Sequence, residues 1–307
     1  MRVAVTGGSG FIGSHVVDAL LAARHEVTVI DPRPPHRSDV RHDAISVLDA
    51  DGFVRATEGL DAVFHLAAAA DVNDVSKDPA GAIDLNVVGT ARVLEAARRN
   101  KVGRVILAST VWVYSSSSIP EGARVDEHAL FSVEAARHVY TSSKIAAEML
   151  CHDFANLFQV PYTILRYGIP YGPRMRPSLV IPLFVRKALA EEALTITGDG
   201  SQHRKFVYVE DLAQGHVLAL SEKAANQTYN LDGREKVTIA RIAETVLRLT
   251  GSHAGIEFVP ARGGDYSGAE VSSEKASAEL SWQPEVDFDE GMARTVPWLV
   301  NLFKPTP

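Results

Sequence analysis

The stretch TGGSGFIG, residues 6–13, places four glycines in seven positions almost at the start of the chain. Before it, the apolar run Val3 to Val5 reads as a buried strand. After it, Phe11, Ile12, Val16, Val17, Leu20 and Leu21 recur at helical spacing. The glycines therefore occupy a strand-to-helix turn. Such a turn uses Gly7 for the tight reversal, Gly10 for the close approach of a pyrophosphate to the backbone, and Gly13 for packing the helix on the strand. Free amides and the positive end of the helix dipole face the anion.

A chain of 307 residues, 46% of them hydrophobic, is long enough to bury one large core, or one core and a smaller lobe. Its net charge of −7 offers no basic stripe for nucleic acid, and no segment approaches the roughly 20 apolar residues of a membrane span. Neither partner is expected. A strand beginning at Arg2 leaves no room for a signal peptide, and the only cysteine, Cys151, has no internal disulfide partner. Both features point to the cytoplasm. Cys151 falls in an apolar helical stretch and reads as a small core hydrophobe. The eleven histidines show no pair at metal-ligand spacing joined to other ligands. No metal is expected, and His65 reads as a strand-end residue packing near the bound nucleotide.

Apolar strands at 26–30, 44–47, 62–66, 104–108 and 162–166 alternate with helical patterns near 11–23, 51–58, 80–99 and 138–158. This predicts an α/β fold, a doubly wound parallel sheet whose ligands lie beyond the carboxyl ends of the strands. After residue 168 the elements shorten, with helices near 181–190, 210–222, 238–249 and 288–301. Residues 1–168 are read as the nucleotide-binding domain and 169–307 as a smaller α/β substrate lobe, with possible chain crossings back to the large domain.

Asp31 closes the second strand eighteen residues beyond Gly13, where an acidic residue takes the ribose hydroxyls of an adenine dinucleotide. A carboxylate there repels a 2′-phosphate, and although Arg33 offsets part of that repulsion, NAD is preferred over NADP. Tyr140 and Lys144 stand four apart at the start of a helix, hence on one face. A phenol ionises near pH ~10, and a neighbouring ammonium favours the phenolate. Lowering that value by about three units takes roughly 4 kcal/mol, more than one exposed ion pair supplies. A desolvated site, the positive nicotinamide ring and a hydroxyl donor are expected to contribute the rest. Thr110, two residues past the predicted strand, is the candidate donor.

TGGSGFIG, Asp31, HLAA at 65–68, Asn86 in NVVGT, STVWVY at 109–114 and YTSSK at 140–144 together resemble the extended short-chain dehydrogenase/reductase superfamily. The likeness continues through LRYGIPYGPR, GDGSQHRKFVYVEDLA, YNLDG and LSWQP, and points to its nucleotide-sugar epimerase/dehydratase branch. The resemblance implies a Rossmann-type domain binding NAD through Gly7, Gly10, Phe11, Ile12, Gly13, Asp31, Arg33, Ser46, Val47, Leu66, Ala67, Ala68, Asn86 and Ser109, with Tyr140 and Lys144. It implies that Tyr140 is the acid/base, that Lys144 holds the nicotinamide ribose, and that Thr110 bonds the reacting hydroxyl. Tyr167 falls where the family touches the nicotinamide, though it also suits packing. Arg204 and Arg262 match arginines that grip a nucleotide-sugar diphosphate, a role suited to a bidentate guanidinium, as opposed to solvated surface arginines. A homodimer through the regions near 80–99 and 138–158 is implied as well.

Dehydratases of the branch carry an Asp-Glu pair directly after the threonine; here Val111 and Trp112 stand there, and neither transfers a proton. The same absence counts against decarboxylation. A 4-epimerase of a UDP-hexose, of glucose/galactose or glucuronate type, is the expected activity. A net keto-sugar oxidoreductase, a decarboxylase or dehydratase, and an NAD-sensing protein without chemistry are the alternatives. YGPRMRP resembles a segment of UDP-glucuronate 4-epimerases, so that Arg174 or Arg176 is a candidate for holding a sugar carboxylate. Three positions depart from the family pattern: Ile169 for an asparagine, Ser46 for an acidic residue near the adenine, and Ser115 for a glycine.

Overall fold

The computed structural model describes residues 1–116, 123–135, 138–260 and 270–304. Its first half runs β1 (Arg2–Thr6), α1 (Phe11–Ala22), β2 (Glu26–Ile30), β3 (Arg41–Asp43), α2 (Ala50–Ala56), β4 (Ala62–His65), α3 (Val72–Lys77), α4 (Pro79–Ile83), α5 (Gly89–Asn100), β5 (Arg104–Thr110), β6 (Arg124–Val125), α6 (Val139–Phe158) and β7 (Tyr162–Tyr167). The second half continues with β8 (Ile169–Tyr171), α7 (Val180–Leu189), β9 (Leu194–Thr197), β10 (His203–Tyr208), α8 (Val209–Leu218), β11 (Gln227–Leu231), β12 (Lys236–Thr238), α9 (Ile239–Thr250), β13 (Ile256–Val259), β14 (Glu270–Val271), α10 (Glu274–Leu280) and α11 (Phe288–Phe303).

Seven parallel strands form the main sheet in the order β11-β7-β5-β4-β1-β2-β3. This is the expected doubly wound sheet, and the chain reverses direction between β1 and β4. Adjacent crossovers diverge there and leave a crevice at the carboxyl ends of the strands, which is where the glycine turn lies. Side chains alternate between two cores. Val5, Phe64, Ile106 and Leu165 face α1 and α8, whereas Ala4, Val63, Val105 and Ile164 face α5 and α6. Strands buried on both faces need apolar residues at successive positions, as Val3 to Val5 of β1 and Ala62 to Phe64 of β4 show.

Beyond residue 168 the chain does not stay in one lobe. β8, β10 and β12 make a small sheet that packs with α7, α9 and α11 around Tyr171, Phe184, Phe206 and Phe288. In contrast, β11 completes the edge of the main sheet and α8 packs on α1. Among the described residues no helix is long and apolar enough to cross a membrane.

Three expected elements change. The strand predicted at 44–47 lies earlier, at Arg41–Asp43, where the chain pairs with β2; Ile45 and Val47 are apolar because they line the crevice past the strand's end. The helix predicted at 80–99 is α4 and α5 joined through a π-helical turn, Asp84–Val88. β5 runs two residues further than predicted, because Ser109 and Thr110 pair with Arg166 and Tyr167 of β7.

Candidate active site

A cavity of about 850 Å³ opens along the carboxyl edge of the sheet. At one end it is lined by Asp31, Arg33, Ser46 and Val47, then by Gly7, Gly10, Phe11, Ile12 and Gly13, and then by Leu66, Ala67, Ala68, Ser109, Thr110, Tyr140, Lys144 and Tyr167. Apart from Asn86, the expected cofactor residues thus line one cleft, following the strand order in which an adenosine, a pyrophosphate and a nicotinamide would lie. Gly7 has φ +68, and a Cβ on Gly13 would sit 2.1 Å from the Gly7 carbonyl oxygen. Only glycine allows that turn. Asp31, 3% exposed, accepts hydrogen bonds from the backbone N–H of Ser9 at 3.3 Å and of Arg33 at 2.9 Å. A carboxylate just past β2, paired with Arg33 at 3.3 Å, suits a ribose diol better than a 2′-phosphate. The cleft fits NAD.

Past the nicotinamide end the cavity continues between Asp71, Val72, Asn73, Trp112, Gly168, Ile169, Pro170, Arg176, Ser178 and Leu179. Here the reactive groups meet. Thr110 ends β5, and Tyr140 is the second residue of α6; both line this end of the cavity, and the Thr110 hydroxyl favours ionisation of the phenol. One helical turn on, Lys144 donates from Nζ to the Ala108 carbonyl at 3.0 Å. Burial pushes the Tyr140 phenol up to about 12, against the Thr110 hydroxyl and the charge of Arg176, which favour the phenolate. Burial therefore opposes the ionisation that the sequence reading expected a desolvated site to assist, because taking a charge out of water costs free energy. Burial likewise brings Lys144 down to about 8, with Glu148 acting in the opposite direction.

Beneath this group lies a buried ion pair that the sequence did not reveal. Glu148, one turn beyond Lys144, bonds Arg166 of β7 at 2.6 Å and accepts from the Ser109 hydroxyl of β5. It ties α6 to the two strands that carry Thr110 and Tyr167.

Other candidates lie elsewhere. Asn86 does not line the cavity; from the π-helical turn its side chain bonds both backbone groups of Ala69 and the Ser143 hydroxyl, bracing the loop after β4 against α6. His65 is buried between Thr6 and Thr90, and burial brings it down to about 3. Arg174 turns away from the cleft: it bonds Asp18 at 2.7 Å and His15 at 3.2 Å on α1, whose carboxylate already neutralises it. Arg176 does line the cleft, within 3.5 Å of Asp71. Arg204 lies on β10 outside the lining, with Nη1 donating to the His203 carbonyl at 2.8 Å. Arg262 falls outside the described residues. The Tyr167 hydroxyl bonds His216 in the core while the residue itself lines the cleft. Among the described residues no three His, Cys, Asp or Glu side chains are grouped to hold a metal.

Residues 3–232 match the NAD dependent epimerase/dehydratase family. A UDP-N-acetyl-alpha-D-glucosaminuronate decarboxylase from Bacillus cytotoxicus is 31% identical over 98% of both chains. Among solved structures, the UDP-glucose 4-epimerase of Thermotoga maritima with UDP-glucose superposes with a TM-score of 0.90 at 30% identity, over 99% of this chain and 100% of that one. The UDP-glucuronic acid 4-epimerase of Bacillus cereus, in complex with UDP-glucuronic acid and NAD, gives 0.88 at 30% identity, with the same coverage. This chain belongs to the NAD-dependent epimerase/dehydratase family of the extended short-chain dehydrogenase/reductase superfamily.

Proposed function

We propose that the protein is a UDP-hexose 4-epimerase. The observation that carries this reading is the composition of the reactive end of the cleft. Tyr140, Thr110 and Lys144 line the cavity together there, while Val111 and Trp112 supply no second proton carrier. The carboxylate of Asp71 also lines the cavity, but it is engaged. Burial would raise it, yet the amides of Asn73 and Asp74 and the charge of Arg176 outweigh that and hold it below its usual range. One acid/base suffices for oxidation and reduction at a single carbon, whereas eliminating water needs more.

NAD in the cleft would supply the acceptor, and then the donor, of the hydride from C4. Tyr140 takes the O4 proton, relayed or oriented by Thr110, and returns it when the 4-keto sugar is reduced on its other face. No cofactor is consumed. Lys144 grips the nicotinamide ribose and adds positive charge near the phenol. The lone buried Cys151 suits a reducing cytoplasm.

Arg176 favours a second reading, a hexuronate substrate, because it is a cleft-lining cation whose charge reaches Tyr140. One experiment tests both. The purified protein is denatured to identify any released dinucleotide, and the intact protein is offered UDP-glucose, UDP-galactose and UDP-glucuronate while C4 stereoisomers are followed by chromatography. Retained NAD and a C4 epimer of one sugar are expected. Stoichiometric reduction of added NAD by one of these sugars, without an epimer, would replace the reading by a net nucleotide-sugar oxidoreductase.

A further inference from the structure

Trp112 is the largest side chain at the reactive end of the cleft, and it is 40% exposed. Large aromatics are normally kept from water unless a partner covers them. Its position is nevertheless fixed. The Trp112 backbone N–H donates to the Thr110 hydroxyl at 3.1 Å, its carbonyl accepts from the Ser115 hydroxyl at 2.7 Å, and its ring meets His138 edge-on at 6.3 Å. Thr110 is one of the two residues that would touch the reacting hydroxyl, and His138 lies two residues before the other, Tyr140, so the indole is held in register with the chemistry. Ile169, Pro170 and Leu179 line the same end, and Arg176, Ser178 and Asp71 add polar groups to it.

Given a nucleotide sugar in this cavity, we propose that Trp112 is the specificity-determining wall for its hexose, stacking on the apolar C–H face of the pyranose. The axial C–H bonds of a pyranose form a flat apolar surface that suits an indole, whereas its hydroxyls point outward to polar groups. Contact through dispersion and water exclusion has no preferred donor or acceptor direction. A wall of this kind holds the keto sugar without fixing which face it presents. A hydrogen-bonding residue at 112 would bind one face better than the other and oppose the turnover that epimerisation needs.

The test uses the NAD-loaded protein and two probes, UDP and UDP-glucose, in titrations of intrinsic fluorescence and by calorimetry. Of the other two tryptophans, Trp282 is buried in the core and Trp298 lies on α11 outside the cavity lining, so a change caused by the sugar reports chiefly on Trp112. UDP-glucose is expected to change the emission more than UDP does. Trp112→Ser should weaken UDP-glucose about five- to tenfold and leave UDP within about twofold, while Trp112→Phe, which keeps a ring, retains most of the affinity. Equal emission changes from UDP and UDP-glucose in the unmodified protein, a readout that needs no variant to fold, would overturn the proposal. So would unaltered UDP-glucose affinity in a folded Trp112→Ser protein. If neither probe binds the unmodified protein, the nucleotide-sugar reading itself falls, and the wall with it.

Discussion

Tyr140 and Lys144 show how far a local motif can be trusted. Their four-residue spacing put both on one face of a helix, and the fold brings that face to the end of β5, within reach of Thr110. What the spacing could not give was the balance of free energies around the phenol. Burial drives it up to about 12, so at neutral pH the hydroxyl is protonated until a positive ring sits beside it. Tyr140→Phe is therefore expected to retain bound NAD, measured in the denatured extract, and to lose about 10²- to 10⁴-fold in turnover. The pH–rate profile of the NAD-loaded parent should show an ionisation well below 12 that the variant lacks. Undiminished turnover in the variant would remove Tyr140 from the chemistry. Arg174 and Arg176 illustrate the opposite case. Two residues apart in one motif, they were indistinguishable in sequence, yet the first is committed to Asp18 on α1 and only the second faces the cleft.

At the scale of elements, the site depends on the height of α6 above the sheet. Glu148 sets it by bonding Ser109 of β5 and Arg166 of β7, both side chains fully enclosed. Glu148→Gln keeps the shape but leaves the guanidinium buried and unpaired, a change that costs roughly 3–5 kcal/mol. A fall of that size should appear in the urea midpoint, together with slower turnover, since the helix that carries Tyr140 loses its anchor. A midpoint within error of the parent would show that the pair does not hold α6. This device was invisible in the sequence because its members, 39 and 18 residues apart, meet only through strand order. The glycine turn was legible for the converse reason: all its constraints, including the contact of Gly13 with the Gly7 carbonyl, are local.

At the scale of the whole molecule, burial governs pH response and association. His15, His65 and His216 are neutral in the fold, brought by burial to about 4, about 3 and about 4. The unfolded chain binds protons on these groups below pH ~6.5 and the folded chain does not, so stability falls with acidification from about 6.5 towards 4. Asp232 acts the other way. Burial raises it to about 7, so the folded state holds its proton through that window, and its share of stability is lost as pH rises. Burial also lowers His25 and raises Glu127 and Asp211, so each histidine left uncompensated contributes at most about 1.4 kcal/mol per pH unit. Urea midpoints at pH 7.5, 6 and 5 should decline; a flat series would contradict the assignment. Exposed Met149, Leu157 and Phe158 of α6, with Ile83 of α4 and Val88 before α5, lie on elements that pack together, and we propose that they meet a second copy. Light scattering should give twice the chain mass, and Met149→Glu should shift it towards the monomer; a monomeric parent would dismiss the interface. By itself the sequence determined the alternation of strands and helices, the nucleotide turn and the placing of Tyr140 and Lys144 on one helix face, because each follows from residue periodicity or short spacing along one element. The return of β11 to the sheet edge, the choice between Arg174 and Arg176, the Glu148–Arg166 anchor and the exposure of Trp112 were decided only by tertiary structure. They depend on which distant segments become neighbours, and on how much water is left between them.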